Sequence, residues 1–526
     1  MCASCAAVSA GPTCPTPPCT TGRTTSRCCT AGSRRPGDGP PGTDAAIASA
    51  AVQTRVLGLE PITIADVVAD AASAGTVVLA PSVEADLLAD AAATAANNVA
   101  YGRTTGVGAN RDESADDSDG MHGRRLVRSH VTGAGPVLPP EVGRAAALVR
   151  ASQLSFPGSG IPFDMLDALV RSLNDGRTAP VRTFGGLGTG DITSLAELAL
   201  CLLGELPWQD GEHHRYLDHV QASGALAFVS ASAPTIAIAA LAVHRLDVLA
   251  RASLPIAALS SLAIRANREQ WSEVAAETRP SPGSTSVAAA MRHFAAGSRY
   301  DHARTQDPLS FRCIPFVAGP LRESIDEVTA EVDRMIAARA ENPRYADGVV
   351  HHHGSFMLTG LALRLDTVRL AATQWLSTSL ARLVKLHDPD DTGQARFLAA
   401  GPSGSSGTMV LEYTAASALR TVSHLADPAS RHTTSISVGV EDHASFATRG
   451  ALALRESLDA FAAVLGCELV AAVRAVRGAL DVTPGAAITE VLGVCDPLPS
   501  DVVDRPLASD VATAVDLLPA LASLVR

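Results

Sequence analysis

Beyond residue 50, apolar residues recur at i, i+3, i+4 and i+7 along most of the chain. The segments "PITIADVVADAASAG" (61–75), "PEVGRAAALVRASQLSF" (140–156), "PFDMLDALVRSLNDG" (162–176) and "RESIDEVTAEVDRMIAARAEN" (322–342) all carry this period, which lays one apolar stripe along a helix. Prolines open several of these segments and Gly or Asn closes them, as helix ends require. Alternating, strand-like patterns are few and short. The most apolar run, "ALAFVSASAPTIAIAALAVH" (225–244), is long enough to span a bilayer. It contains Ser230, Ser232, Thr235 and Pro234 and has no companion run, so it is expected to be a buried core helix rather than a membrane span. The pattern predicts a mainly α, long-helix domain over 51–526, preceded by a different kind of segment over 1–50.

Composition separates that first segment. Six of the ten cysteines (Cys2, Cys5, Cys14, Cys19, Cys28 and Cys29) lie in the first 29 residues, among Pro, Thr, Ser, Gly and Arg. "CASC" and "CPTPPC" suggest a zinc knuckle, but no His or further CxxC completes a tetrahedral set. A disordered, dispensable low-complexity extension is the expectation, and a start codon placed too far upstream would add such a segment. It has no apolar centre of the kind a secretory signal needs. Cys201, Cys313, Cys467 and Cys495 sit in apolar surroundings and read as reduced thiols of a cytoplasmic protein. The net charge of -12 is dispersed, with one lysine, Lys385, and no basic block. Nucleic acid is therefore not an expected partner. The acidic run "RDESADDSDG" (111–120) reads as a solvated loop.

The chemistry concentrates at "TFGGLGTGDITSLAELAL" (183–200). Four of the six positions from Gly185 to Gly190 are glycine, and Thr189 is the single hydroxyl. A helix starting after the loop, capped by Asp191 or by a Ser194–Glu197 capping box, would turn its positive end toward it. An anion loop is one reading, although the spacing fits neither G-x-G-x-x-G nor a P-loop. Close helix approach is a second. A third is covalent: in a tight Gly-X-Gly turn the amide of Gly190 can attack the carbonyl of Gly188 and close an imidazolone.

The loop and its surroundings resemble the histidine/phenylalanine/tyrosine ammonia-lyase family. "FGGLGTGDITSLA" lies without a gap on G-S-V-G-A-S-G-D-L-A-P-L-A, so the triad that becomes methylidene-imidazolone falls on Gly188, Thr189 and Gly190. "AYGRTTGVG" (100–108) is similar to Y-G-x-N-T-G-F-G and implies a catalytic lid tyrosine at Tyr101. "LVRSHVTGAGPVLPPEVGRAAALVRASQL" (126–154) puts Ser129–His130 at the substrate-selecting pair. "QDPLSFRCIPFVAG" (306–319) implies a carboxylate-binding arginine at Arg312. "HHHGSFMLTG" (351–360) keeps Phe356, and "EYTAASAL" (412–419) and "VEDHASF" (440–446) imply an active-site glutamate at Glu441. The implied fold is the long-helix bundle of the ammonia-lyase, fumarase/aspartase-like type. The implied partners are an amino acid substrate and three further copies in a homotetramer, with long central helices packed across subunits and each site built from three chains. No external cofactor, nucleic acid or membrane is implied.

By the same resemblance, an electrophile bonds the substrate and Tyr101 removes a β-proton, its pKa lowered by helix dipoles. Arg312 grips the carboxylate bidentately, Glu441 balances the amino group, and His130 touches the aromatic ring, favouring histidine or tyrosine over phenylalanine. The departures are equally specific. Thr189 replaces serine and would leave a methyl group on the electrophilic carbon, while Gly188 replaces alanine. Ser230 replaces an asparagine, Leu309 a tyrosine, Ser355 and Met357 the Asn and His of G-N-F-H, and Val440 a glutamine. Two readings stand: a carbon–nitrogen lyase or aminomutase using the ring, and a relative that keeps the pocket without it. His351, His352 and His353 are adjacent, so their side chains diverge and no metal site is expected.

Overall fold

The computed structural model describes residues 54–95 and 99–525. The N-terminal cysteines and the expected extension over 1–50 lie outside the described residues. The four periodic segments fold as helices: Ile64–Ala72, Pro140–Leu154, Phe163–Asn174 and the C-terminal part of Ile314–Ile336. At the first of these, Thr63 and Asp66 form a reciprocal capping box, which satisfies two of the N–H groups a helix start leaves free. The described strands are short and form three two-stranded sheets.

Three long helices, Ala233–Ala263, Thr359–Leu386 and Ala447–Gly478, form the centre of the bundle. Alanines such as Ala237, Ala239, Ala471 and Ala472 are fully buried, and their small side chains let helix axes approach closely. One buried polar cluster ties the three together. Glu468 accepts from Arg382 (Nε–Oε1 2.7 Å, Nη2–Oε2 3.0 Å), from Ser260 (2.8 Å) and from Ser379. Both charged side chains are fully buried, and an ion pair taken out of water holds only when its remaining donors and acceptors are satisfied in this way. The guanidinium also stacks 4.5 Å from the Trp375 ring.

The apolar run 225–244 is not one helix. The chain is helical over Ala222–Val229, breaks at 230–232, and resumes at Ala233. Apolar period alone does not reveal the break, because both flanks are uniformly buried. Together the two helices are apolar and long enough to cross a membrane, but 89% of the most apolar window is buried inside the protein. Cys201, Cys467 and Cys495 are buried free thiols, and Cys313 is partly exposed.

Candidate active site

The break at 230–232 faces the glycine loop. Asp191 N–H donates to Ala231 O at 2.7 Å, and the Asp191 carboxylate accepts from the Thr235 amide (2.7 Å) and hydroxyl (2.9 Å). Asp191 is thus turned into the core and does not cap its own helix, Ile192–Leu202. The expected Ser194–Glu197 capping box is also absent, because Glu197 is buried against Arg182 at 3.2 Å. Burial without a cationic partner raises the Asp191 carboxyl to about 6, against hydrogen bonds that hold it down.

Two further helix starts converge on the loop. Leu358, at the start of Thr359–Leu386, donates its N–H to Gly188 O at 3.1 Å. Ser445, just before Ala447–Gly478, donates its hydroxyl to the same oxygen at 2.9 Å, and Phe446 N–H donates to Leu187 O at 2.8 Å. Gly188 and Gly190 have φ of 75° and 110°, a region L side chains avoid. A Cβ on Gly188 would overlap the Ser445 hydroxyl and lie 2.7 Å from Ala447 N. Glycine in place of the family's alanine therefore has a local reason in this chain: the space is taken.

Beside the loop lies a cavity of about 490 Å³ whose lining includes Tyr101, His130, Thr189, Ser230, Phe356 and Glu441. Its size suits a small ligand. Tyr101 Oη accepts the Gly108 N–H at 2.7 Å. Burial nevertheless raises the phenol above its ordinary 10.0, the Gly108 bond opposes this, and the Glu441 charge adds to it. The expected lowering by helix dipoles is thus overturned: desolvation of the phenolate wins. His130 directs Nδ1 to Leu126 O at 2.7 Å; with the proton on Nδ1, its ring presents Nε2 as an acceptor.

The lining also includes residues that motif reading passed over. Asn342 lines the cavity, and its N–H donates to the Ser230 hydroxyl at 3.1 Å. That bond is made by the Asn342 backbone; its side-chain oxygen accepts from His353 N–H at 2.9 Å. Ser437 lines it too, accepting from Ala109 N–H at 3.0 Å, while Ile436 N–H donates to Glu441 O at 2.8 Å. These bonds tie the loop bearing Glu441 to the loop bearing Tyr101. Ser437 and Val438 both have positive φ, 52° and 54°, and Val438 is 95% exposed; such backbone strain on non-glycine residues concentrates at functional sites.

Three expected substrate contacts are not in this cavity. Ser355 is exposed, and Leu309 is 62% exposed at the start of the short helix Leu309–Arg312. Arg382 bonds Ser310 O, and Arg382 lies roughly seven turns, or about 35 Å, along its helix from the end where Leu358 meets Gly188. Arg312 is therefore remote from its own chain's cavity. Its Nε donates to Asp307 O at 2.8 Å, and among the described residues nothing else bonds its two Nη groups. Nor do His351, His352 and His353 converge: His352 Nε2 accepts from Tyr101 N–H and His353 Nδ1 from Ser355 N–H. Among the described residues no three His, Cys, Asp or Glu side chains group as metal ligands do.

The aromatic amino acid lyase family model matches residues 62–493. Histidine ammonia-lyase from Symbiobacterium thermophilum is 32% identical over 443 residues, covering 80% of this chain and 86% of that protein. Histidine ammonia-lyase from Streptomyces coelicolor is 31% identical over 495 residues, covering 88% and 96%. The crystal structure of the ergothioneine degrading enzyme ergothionase from Treponema denticola superposes with a TM-score of 0.82 at 24% identity, covering 90% of this chain and 99% of that one. The chain belongs to the aromatic amino acid lyase family and is an ammonia-lyase.

Proposed function

We propose that this ammonia-lyase eliminates ammonia from histidine, with tyrosine as the second candidate, and that it works as a homotetramer using a ring formed from Gly188, Thr189 and Gly190. The observation that carries the reading is the cavity itself, which gathers Tyr101, His130, Thr189, Phe356 and Glu441. His130 favours an imidazole: its free Nε2 can accept the substrate's ring N–H. The similarity to two histidine ammonia-lyases points the same way. Once formed, the ring would supply an electrophile for the substrate, and the Gly188–Gly190 turn fits it, since both glycines hold φ values that a tight Gly-X-Gly turn needs.

The chain's own residues divide the remaining work. Glu441 faces the ammonium group. Burial is the main cause that raises Tyr101, and the Glu441 charge adds to it; a bound ammonium neutralises that charge, so substrate binding removes one of the influences that hold Tyr101 back from acting as the base that takes the β-proton. The Gly108 N–H stabilises the resulting phenolate. Arg312, which does not line its own chain's cavity and has both Nη groups open, serves the substrate carboxylate in a neighbouring subunit's site.

Threonine at 189 favours a second reading, in which the pocket is kept without the ring, as a carboxylate-binding or assembly relative. One experiment separates the two: the intact mass of the purified chain, with ultraviolet detection of urocanate or coumarate after incubation with L-histidine or L-tyrosine. A mass short by two waters together with urocanate release supports the ring reading. Full mass and no product from either amino acid would refute it.

A further inference from the structure

The oxygen of Gly188 is the atom that ring closure must expel, and it is held from two sides. Leu358 N–H reaches it at 3.1 Å from the start of a 28-residue helix, and Ser445 Oγ at 2.9 Å from the start of a 32-residue helix. Ser445 Oγ in turn accepts Ala447 N–H at 3.3 Å, which fixes the hydroxyl so that its proton points at Gly188. Ser445 is buried, so this bond does not compete with solvent. The Phe446 N–H on Leu187 O pins the preceding peptide. Two donors, each held at the start of a long helix and meeting at one carbonyl oxygen, are the arrangement that stabilises an oxyanion.

We propose that Ser445 and the Leu358 N–H form an oxyanion site for closure of the 188–190 ring, and that Ser445 is a catalytic residue of this maturation step. The inference rests on the ring reading above. The Gly190 nitrogen pair bonds the Gly188 carbonyl carbon, and the carbonyl π pair moves onto oxygen, where Ser445 and Leu358 meet the developing charge. The Gly190 amide proton and the Thr189 amide proton leave with that oxygen as one water, giving C=N between the Gly188 carbon and the Thr189 nitrogen. Thr189 then loses its α-proton and β-hydroxyl as a second water, giving the exocyclic alkene with its methyl group. The balance is two waters, with no oxidant or reductant.

The test follows the full-length wild-type chain, Ser445→Ala and Ser445→Thr by intact mass and near-ultraviolet absorbance at timed intervals after synthesis, with circular dichroism as a fold check. Removing one oxyanion donor slows such steps by roughly 10²-fold. Ser445→Ala is therefore expected to lose its two waters about that much more slowly, with Ser445→Thr, which keeps the hydroxyl, close to wild type. If Ser445→Ala does not fold, Ser445→Cys, a weak donor of similar size, replaces it in the same comparison. Ring formation in the donor-poor variant at the wild-type rate overturns the role of Ser445 and leaves the ring reading intact. A wild-type chain that never loses the two waters overturns both.

Discussion

Asp191→Asn isolates a single buried titration. The wild-type carboxyl is fully buried, accepts from Thr235 and Thr448, has no cationic partner, and titrates at about 6 instead of its ordinary 3.8. A folded-state value above the unfolded one contributes stability that is complete only below about pH 3 and disappears as pH rises through 6. The difference of about two units corresponds to about 3 kcal/mol. Asparagine keeps an acceptor oxygen for Thr235 and cannot titrate. Urea unfolding of both proteins from pH 4 to 7, taken as a difference, cancels every other titrating group. The wild type should gain about 2 kcal/mol on the variant between pH 7 and pH 4. A difference that stays flat, or that changes in the opposite sense, would show that Asp191 is not a desolvated carboxyl.

Three further outcomes are expected. Gly188→Ala should destabilise the chain by about 2–3 kcal/mol, from left-handed backbone strain and overlap of the new Cβ with Ser445 and Ala447, read as a lowered melting temperature; an unchanged value would mean the loop relaxes freely. Arg312→Lys keeps the charge and loses the fork, and should weaken amino acid binding by about 1.5–3 kcal/mol, measured by calorimetry; equal affinity would place carboxylate recognition elsewhere. Glu468→Leu leaves the Arg382 guanidinium buried without its partner and should cost about 3–5 kcal/mol, seen in urea unfolding, whereas a loss below about 1 kcal/mol would show that water reaches the pair.

The long amphipathic helices could be read from spacing, because a stripe at period 3.6 is a property of the local sequence. Tyr101, Thr189, Ser230, Phe356 and Glu441 could be placed together from motif order, and they do line one cavity. What stayed hidden depends on long-range partners. Asp191 reads as a helix cap because the residue that draws it inward, Thr235, is 44 positions later. Ser445 is a small polar residue whose role appears only when two helix starts meet at Gly188. Asn342 sits beside Pro343 in a polar stretch and looks like a turn residue; its place before the Phe356 segment was the available signal. The break at Ser230 is masked by alanine and valine on both sides.

The bond between Ser437 Oγ and Ala109 N–H has a consequence for turnover. Tyr101 and Glu441 belong to separate loops more than 300 residues apart in the chain, yet this hydroxyl and the adjoining Ile436–Glu441 bridge fasten them to one another. Whatever opens the cavity to release product must swing both loops or break that fastening. If the loops swing as one, the proposed proton acceptor and the carboxylate leave their stations together, so an open site is also a disarmed one. Ammonia and product then depart past groups that are no longer aligned to reverse the reaction.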